Sequence, residues 1–156
     1  MTTIDLAALV AQYRAGLEAE LVLLGRLEQV AERQRLTSES NDLVALQRAS
    51  DEREQLMSSL VGIEQELAGV RTTLGNLRHE ASQVAGFDET VELHREAKEL
   101  VARILQTDGE AIRTLARAEF ARRETVRTLE QGESTLAAYR RALTPLPSAN
   151  LINRRG

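Results

Sequence analysis

His79 and His94 are the only histidines of the 156-residue chain, and cysteine is absent. A hairpin centred on residues 85–87 brings the two imidazoles near each other. They have neither a further histidine nor the Glu-x-x-His spacing with which helical bundles hold metal ions. They read as partly exposed helix residues. Gly62 and Gly69 stand singly inside a helical pattern and form no phosphate-cradling loop. Ser58, Ser59 and Ser134 have no strand-turn-helix elbow around them to expose a nucleophile. The many carboxylates fall three or four residues from arginines, as in Glu110–Arg113 and Glu119–Arg123, the spacing of solvated ion pairs on a helix surface. No enzymatic activity, cofactor or metal site is expected.

With the chemistry-bearing residues unassembled, the elements themselves carry the information. Apolar residues make up 42% of the chain, aromatics 3%, and there is no tryptophan, so the core must be built from Leu, Val, Ile and Ala. Two prolines and nine glycines leave little turn material, which favours few, long elements. The net charge of −4 is unevenly spread: residues 1–111 hold 11 basic and 20 acidic side chains, residues 112–156 hold nine arginines and four glutamates. Arginine interleaved with glutamate solvates a helix face. The aromatic platforms and dense cationic runs of a nucleic-acid surface are missing, so no nucleic-acid partner is expected. No apolar run approaches a membrane span, and the first residues lack the basic region of a secretory leader. A soluble, cytoplasmic protein is expected.

The periodicity predicts an all-α, elongated antiparallel three-helix bundle or coiled coil over 1–143, with helices over about 4–36, 42–84 and 89–143, a projecting C-terminal helix and a flexible, extended tail over 144–156. In the first helix Leu6, Leu9, Val10, Tyr13, Leu17, Leu21, Leu24 and Leu27 recur at helical spacing, behind Thr3 or Asp5 as a cap. In the second, Leu56, Leu60, Ile63, Leu67, Val70, Leu74, Leu77, Ala81 and Val84 alternate steps of three and four, a heptad seam. Arg53 interrupts that seam upstream, either reaching out to solvent along its aliphatic stem or filling a specific role. Asp88 is the expected cap of the third helix. Its looser stripe runs Val91, Val101, Leu105, Ile112, Leu115, Val126, Leu129, Leu136 and Leu143, with Asp108, Glu119, Arg122 and Glu133 in the same register. Thr144-Pro145 ends it.

At about 1.5 Å per residue the second and third helices would be roughly 64 and 82 Å long, against about 40 Å for a compact domain of this size. A reversal at 85–87 then sets residue 131 level with the start of the second helix and leaves everything beyond it unpartnered. Leu129, Leu136, Tyr139 and Leu143, followed by Leu151 and Ile152 in the tail, are the candidate partner-binding residues, since an exposed apolar stripe marks an interaction site. The bare hairpin expected at the other end makes Leu74, Leu77 and Val91 candidates for self-association, as a monomer or weak homodimer.

The stretch SNDLVALQRASDEREQLMSSLVGIEQEL, residues 40–67, resembles the FlgN-like flagellar export chaperones. Asn41-Asp42, Leu43, Leu46, Arg53-Glu54, Leu56-Met57, Leu60 and Glu64 occupy the places of that family's pattern, and Tyr139 and Gly156 correspond to its C-terminal tyrosine and glycine. The Pro-x-Pro tail has no counterpart in the pattern. The resemblance implies a cytoplasmic chaperone linked to type III secretion. It would bind the C-terminal helical segments of hook–filament junction proteins through its own C-terminal region and deliver them to the export gate. Alternatives are a FliJ-like coiled-coil component that engages the export ATPase, and a structural coiled-coil protein that self-associates.

Overall fold

The computed structural model describes residues 3–143, with side chains through Arg141. The described residues form helices α1 (Leu6–Ser40), α2 (Leu43–Asn76), α3 (Arg78–Ala81) and α4 (Phe87–Leu143). The chain divides into two compact units, Met1–Leu115 and Ala116–Gly156. The all-α bundle expected from the periodicity is present in the first unit, where α1, α2 and the first half of α4 share a core.

Local chemistry sets the helix ends. The Asp5 carboxylate accepts the Ala8 amide at 3.1 Å and caps α1. The helix continues one turn past the expected residue 36, because Asn41, at φ 57, supplies a left-handed residue that closes it. The Asp42 amide donates to the Thr37 carbonyl at 3.3 Å, the six-to-one bond of a Schellman end. The Asp42 side chain then accepts the Ala45 amide at 3.0 Å and starts α2. Two helices therefore meet across a single Asn-Asp junction.

Helix α2 stops at Asn76 rather than near 84. Gly75 and Asn76 are weak helix formers, and Leu77 leaves the helical region at φ −111, ψ 34. The heptad seam ran on through Ala81 and Val84 because both still face the core, from α3 and the turn after it. Gly86 adopts φ +91, a conformation that favours glycine, and α4 begins at Phe87. Asp88 thus lies inside the first turn and is not the cap, although its charge still suits the helix N-terminus. Because residues 77–86 are all spent on the reversal, the register is shorter than a tight turn gives. A tight turn predicts residue 119 opposite Arg53; Asp108 is there instead.

One core cluster joins Leu24, Leu27, Val30 and Ala31 of α1 with Ala49 and Leu56 of α2 and Ala97, Leu100 and Ile104 of α4. A second joins Val10 to Val70, Leu74 and Ala81, with Leu6, Tyr13, Val84 and Phe87 packed around it. This overturns the expected stripe of α4: Val91, Val101, Leu105, Ile112 and Leu115 are exposed, and Ala97, Leu100, Ile104 and Ala111 face inward. The two stripes lie side by side on the helix. The inner one carries the small alanines that let helix axes approach, whereas ranking by side-chain size alone selects the outer one. The second cluster also removes the bare hairpin. Leu74 is buried beneath Val10 and Leu77 is half-buried, so of the candidate self-association residues only Val91 is open to solvent.

The Leu67 side chain of α2 packs directly against Gly16 of α1, where an added Cβ would lie 2.4 Å from Leu67 Cδ1. Leu67 is buried and has little room to move. Gly16→Ala is expected to cost about 1–2 kcal/mol, overpacking outweighing the gain in helix propensity. Gly62, with nothing within 4 Å of its built Cβ, is the control: Gly62→Ala is expected to stabilise by up to about 1 kcal/mol. Urea denaturation of both variants checks the opposite signs.

Candidate partner-binding surface

The described residues of the second unit, 116–143, are helical, and none of those whose side chains are described, 116–141, is buried. Leu129 is 66% exposed, Leu136 68% and Tyr139 61%. Leu129 and Leu136 are one heptad apart and share a face; Tyr139 follows three residues later on the adjacent edge. Leu143 continues the heptad spacing within α4, but its side chain lies outside the described residues, as do Leu151 and Ile152 altogether. Val126 belongs to the same line, and Phe120, 67% exposed, adds an aromatic ring that the seam pattern did not single out because it falls off the heptad positions. Around these apolar groups Glu119 pairs with Arg122 and Arg123, and Glu124 with Arg127. Arginines outnumber glutamates here, so the surface combines an apolar line with a cationic margin.

The first unit holds an apolar groove of about 720 Å³. Leu17, Leu24 and Leu27 contribute to it from α1, Met57 and Leu60 from α2, Val101 and Leu105 from α4. Its lining also includes two polar clusters. In one, Arg53 holds Asp108 through two bonds of 2.7 and 2.6 Å and donates to Gln34 at 2.8 Å. Arg53 therefore has a specific role: it ties α1, α2 and α4 together. Both partners are mostly shielded, with side-chain exposures of 26 and 20%. Asp108→Ala is expected to cost about 1–3 kcal/mol by leaving the mostly shielded guanidinium without its carboxylate. A double-mutant cycle with Arg53→Ala should show coupling that an exposed pair such as Arg103–Glu28 lacks.

The second cluster was not singled out in the sequence. Glu20 is buried on α1 beside Glu64 and Arg71 of α2. Arg71 grips Glu64 with two bonds, 2.5 and 3.1 Å, and its guanidinium stacks 5.6 Å from the centre of the Tyr13 ring. Burial pushes the Glu20 carboxyl up to about 7, helped by hydrogen bonding and repulsion from Glu64, against an opposing pull from Arg71. Glu64 moves the other way, to about 2, held ionised by the Arg71 bonds and then by a hydrogen bond from Glu20. The pair thus carries one proton below about pH 7. A signal for this was present: Glu20 sits three residues after Leu17 and four before Leu24, on the buried face of α1. Among the described residues no group of His, Asp and Glu is arranged to hold a metal ion, and no helix is long and apolar enough to cross a membrane.

No family model, curated protein or solved structure matches the chain.

Proposed function

We propose that the protein is an export chaperone of the FlgN-like kind. In this reading it is cytoplasmic and binds the C-terminal helical segments of hook–filament junction proteins. The observation that carries it is the exposed apolar line Val126, Leu129, Leu136 and Tyr139, in a helical stretch where no described residue is buried. An amphipathic helix can lay its apolar face on such a line, and an acidic flank on that helix would meet the arginine margin. The helix-closing Asn41-Asp42 junction, one part of the 40–67 stretch that carries the chaperone resemblance, forms the α1–α2 connection. In this reading the first unit is the stable body, and the second presents the docking line. Delivery to the export gate or ATPase is the further step this reading implies.

Calorimetric titration of a junction-protein C-terminal peptide into the full-length chain tests this. Saturable binding that weakens as salt is raised is the expected result. Absence of binding at low salt would overturn the reading and leave a coiled-coil scaffold as the better description.

A further inference from the structure

The outer stripe of α4 reads the same in both directions. Ile112 and Leu115 lie on one side of a charged pair, Val126 and Leu129 on the other, and all four are at least 41% exposed. Between them the two seam positions are Glu119 and Arg122. Placed antiparallel on the same helix of a second copy, with the dyad midway between Glu119 and Arg122, every layer from 112 to 129 finds a complement. Ile112 meets Leu129 of the second copy, Leu115 meets its Val126, and Glu119 meets its Arg122. A parallel pairing would instead set Glu119 on Glu119 and Arg122 on Arg122. Ala118, Thr125 and Gly132 recur every seven residues beside this seam, so one edge carries little bulk to hold the helices apart. In the single chain Glu119 accepts from its own Arg122 and Arg123, at 2.7 and 3.1 Å. These pairs are exposed and contribute little, so exchanging one across a dyad costs little.

We propose that two copies of this chain associate through residues 112–129 of α4, antiparallel and isologous, with Glu119 and Arg122 exchanging ion pairs at the centre. The charges fix direction and register, as buried polar positions do in coiled coils; the four apolar layers supply the affinity. This does not rest on the chaperone reading. The pairing covers Val126 and Leu129 and leaves Leu136 and Tyr139 outside the paired segment.

Sedimentation equilibrium of the full-length chain over a wide concentration series is the test, with circular dichroism to confirm helicity. The wild type is expected to dimerise reversibly. Glu119→Arg and Arg122→Glu each place like charges at both central layers and should weaken dimerisation by about tenfold or more. The double variant restores both pairs in reverse and should return to within about threefold of wild type. An equimolar mixture of the two single variants should form a heterodimer although neither pairs well alone. The mixture matters because each single substitution also removes the Glu119–Arg122 pair within its own helix, and mixing cannot repair that loss. A wild type that stays monomeric overturns the proposal. So do single variants that dimerise like wild type, or a double variant and mixture as weak as the singles.

Discussion

Glu20→Gln is expected to make the protein more stable at about pH 8, by on the order of 2–3 kcal/mol, and to leave it nearly unchanged at about pH 5. The sign follows from the direction of the shift. The Glu20 carboxyl titrates near 7 in the folded chain against an ordinary value of 4.5. Between those values the folded state holds a proton that the unfolded state releases. The stability tied to that proton is fully present below about 4.5 and is lost as pH rises through about 7. Above that, folding must bury a carboxylate that one orphaned oxygen leaves partly unsatisfied. Glutamine keeps the shape, cannot ionise, and can donate to Glu64 permanently. The variant should therefore lose the decline in stability between about pH 5 and 8 that the wild type shows. Urea midpoints at both pH values decide it: an unaltered slope, or a variant less stable at high pH, would sink the shared-proton account.

Glu64 adds the opposite limb. Its carboxyl is lowered to about 2 by Arg71, so its contribution is present above about 4.5 and lost as pH falls toward 2. The two together give a stability contribution that peaks near the ordinary carboxylate range and falls on both sides. Arg71→Met alters both limbs, because Arg71 also pulls the Glu20 carboxyl down. It removes the group that holds Glu64 ionised and should raise that carboxyl toward its ordinary value, shrinking the acid limb. Denaturation measured as a function of pH on the variant reads this directly.

How far the sequence disclosed this arrangement depends on which force set each feature. The helices, the cap at Asp5 and the heptad of α2 were legible because they follow from local propensity and period. The end of α2 was not: Ala81 and Val84 keep the hydrophobic rhythm after the helix has stopped, since burial selects apolar residues in a turn as readily as in a helix. The inner face of α4 was hidden by the same ambiguity. Leu100 and Ile104 stand beside Val101 and Leu105, and only the alanines at 97 and 111 mark which stripe a neighbouring helix can approach. Arg53 and Glu20 both break a seam with charge. The sequence shows the break, but the partner 55 residues away that explains Arg53 depends on the length of the reversal. The exposed line on α4 was anticipated from an argument about length that placed its start near 131. Burial ends earlier, at Ala111, so the apolar surface left open is larger than that argument gave.

That larger surface makes the effect of altering it sharp. On the chaperone proposal, Leu136→Asp combined with Tyr139→Ala is expected to weaken binding of a junction-protein peptide by about a hundredfold, the loss of two central anchors. Both side chains are more than 60% exposed and belong to neither core cluster. The thermal midpoint should therefore stay where it is, which separates a binding defect from a folding one. Both residues also lie outside 112–129, so self-association should persist in this variant. Conversely, Glu119→Arg should weaken pairing between copies by about tenfold or more and leave peptide binding at least as tight as in the wild type, because Leu129 is then more often uncovered. Calorimetry and sedimentation on these two variants form a crossed pair of measurements. If the Leu136 and Tyr139 changes leave peptide affinity intact, the docking line is misplaced. If they remove self-association as well, the two surfaces are one, and the seam extends further along α4 than the charge pattern alone requires.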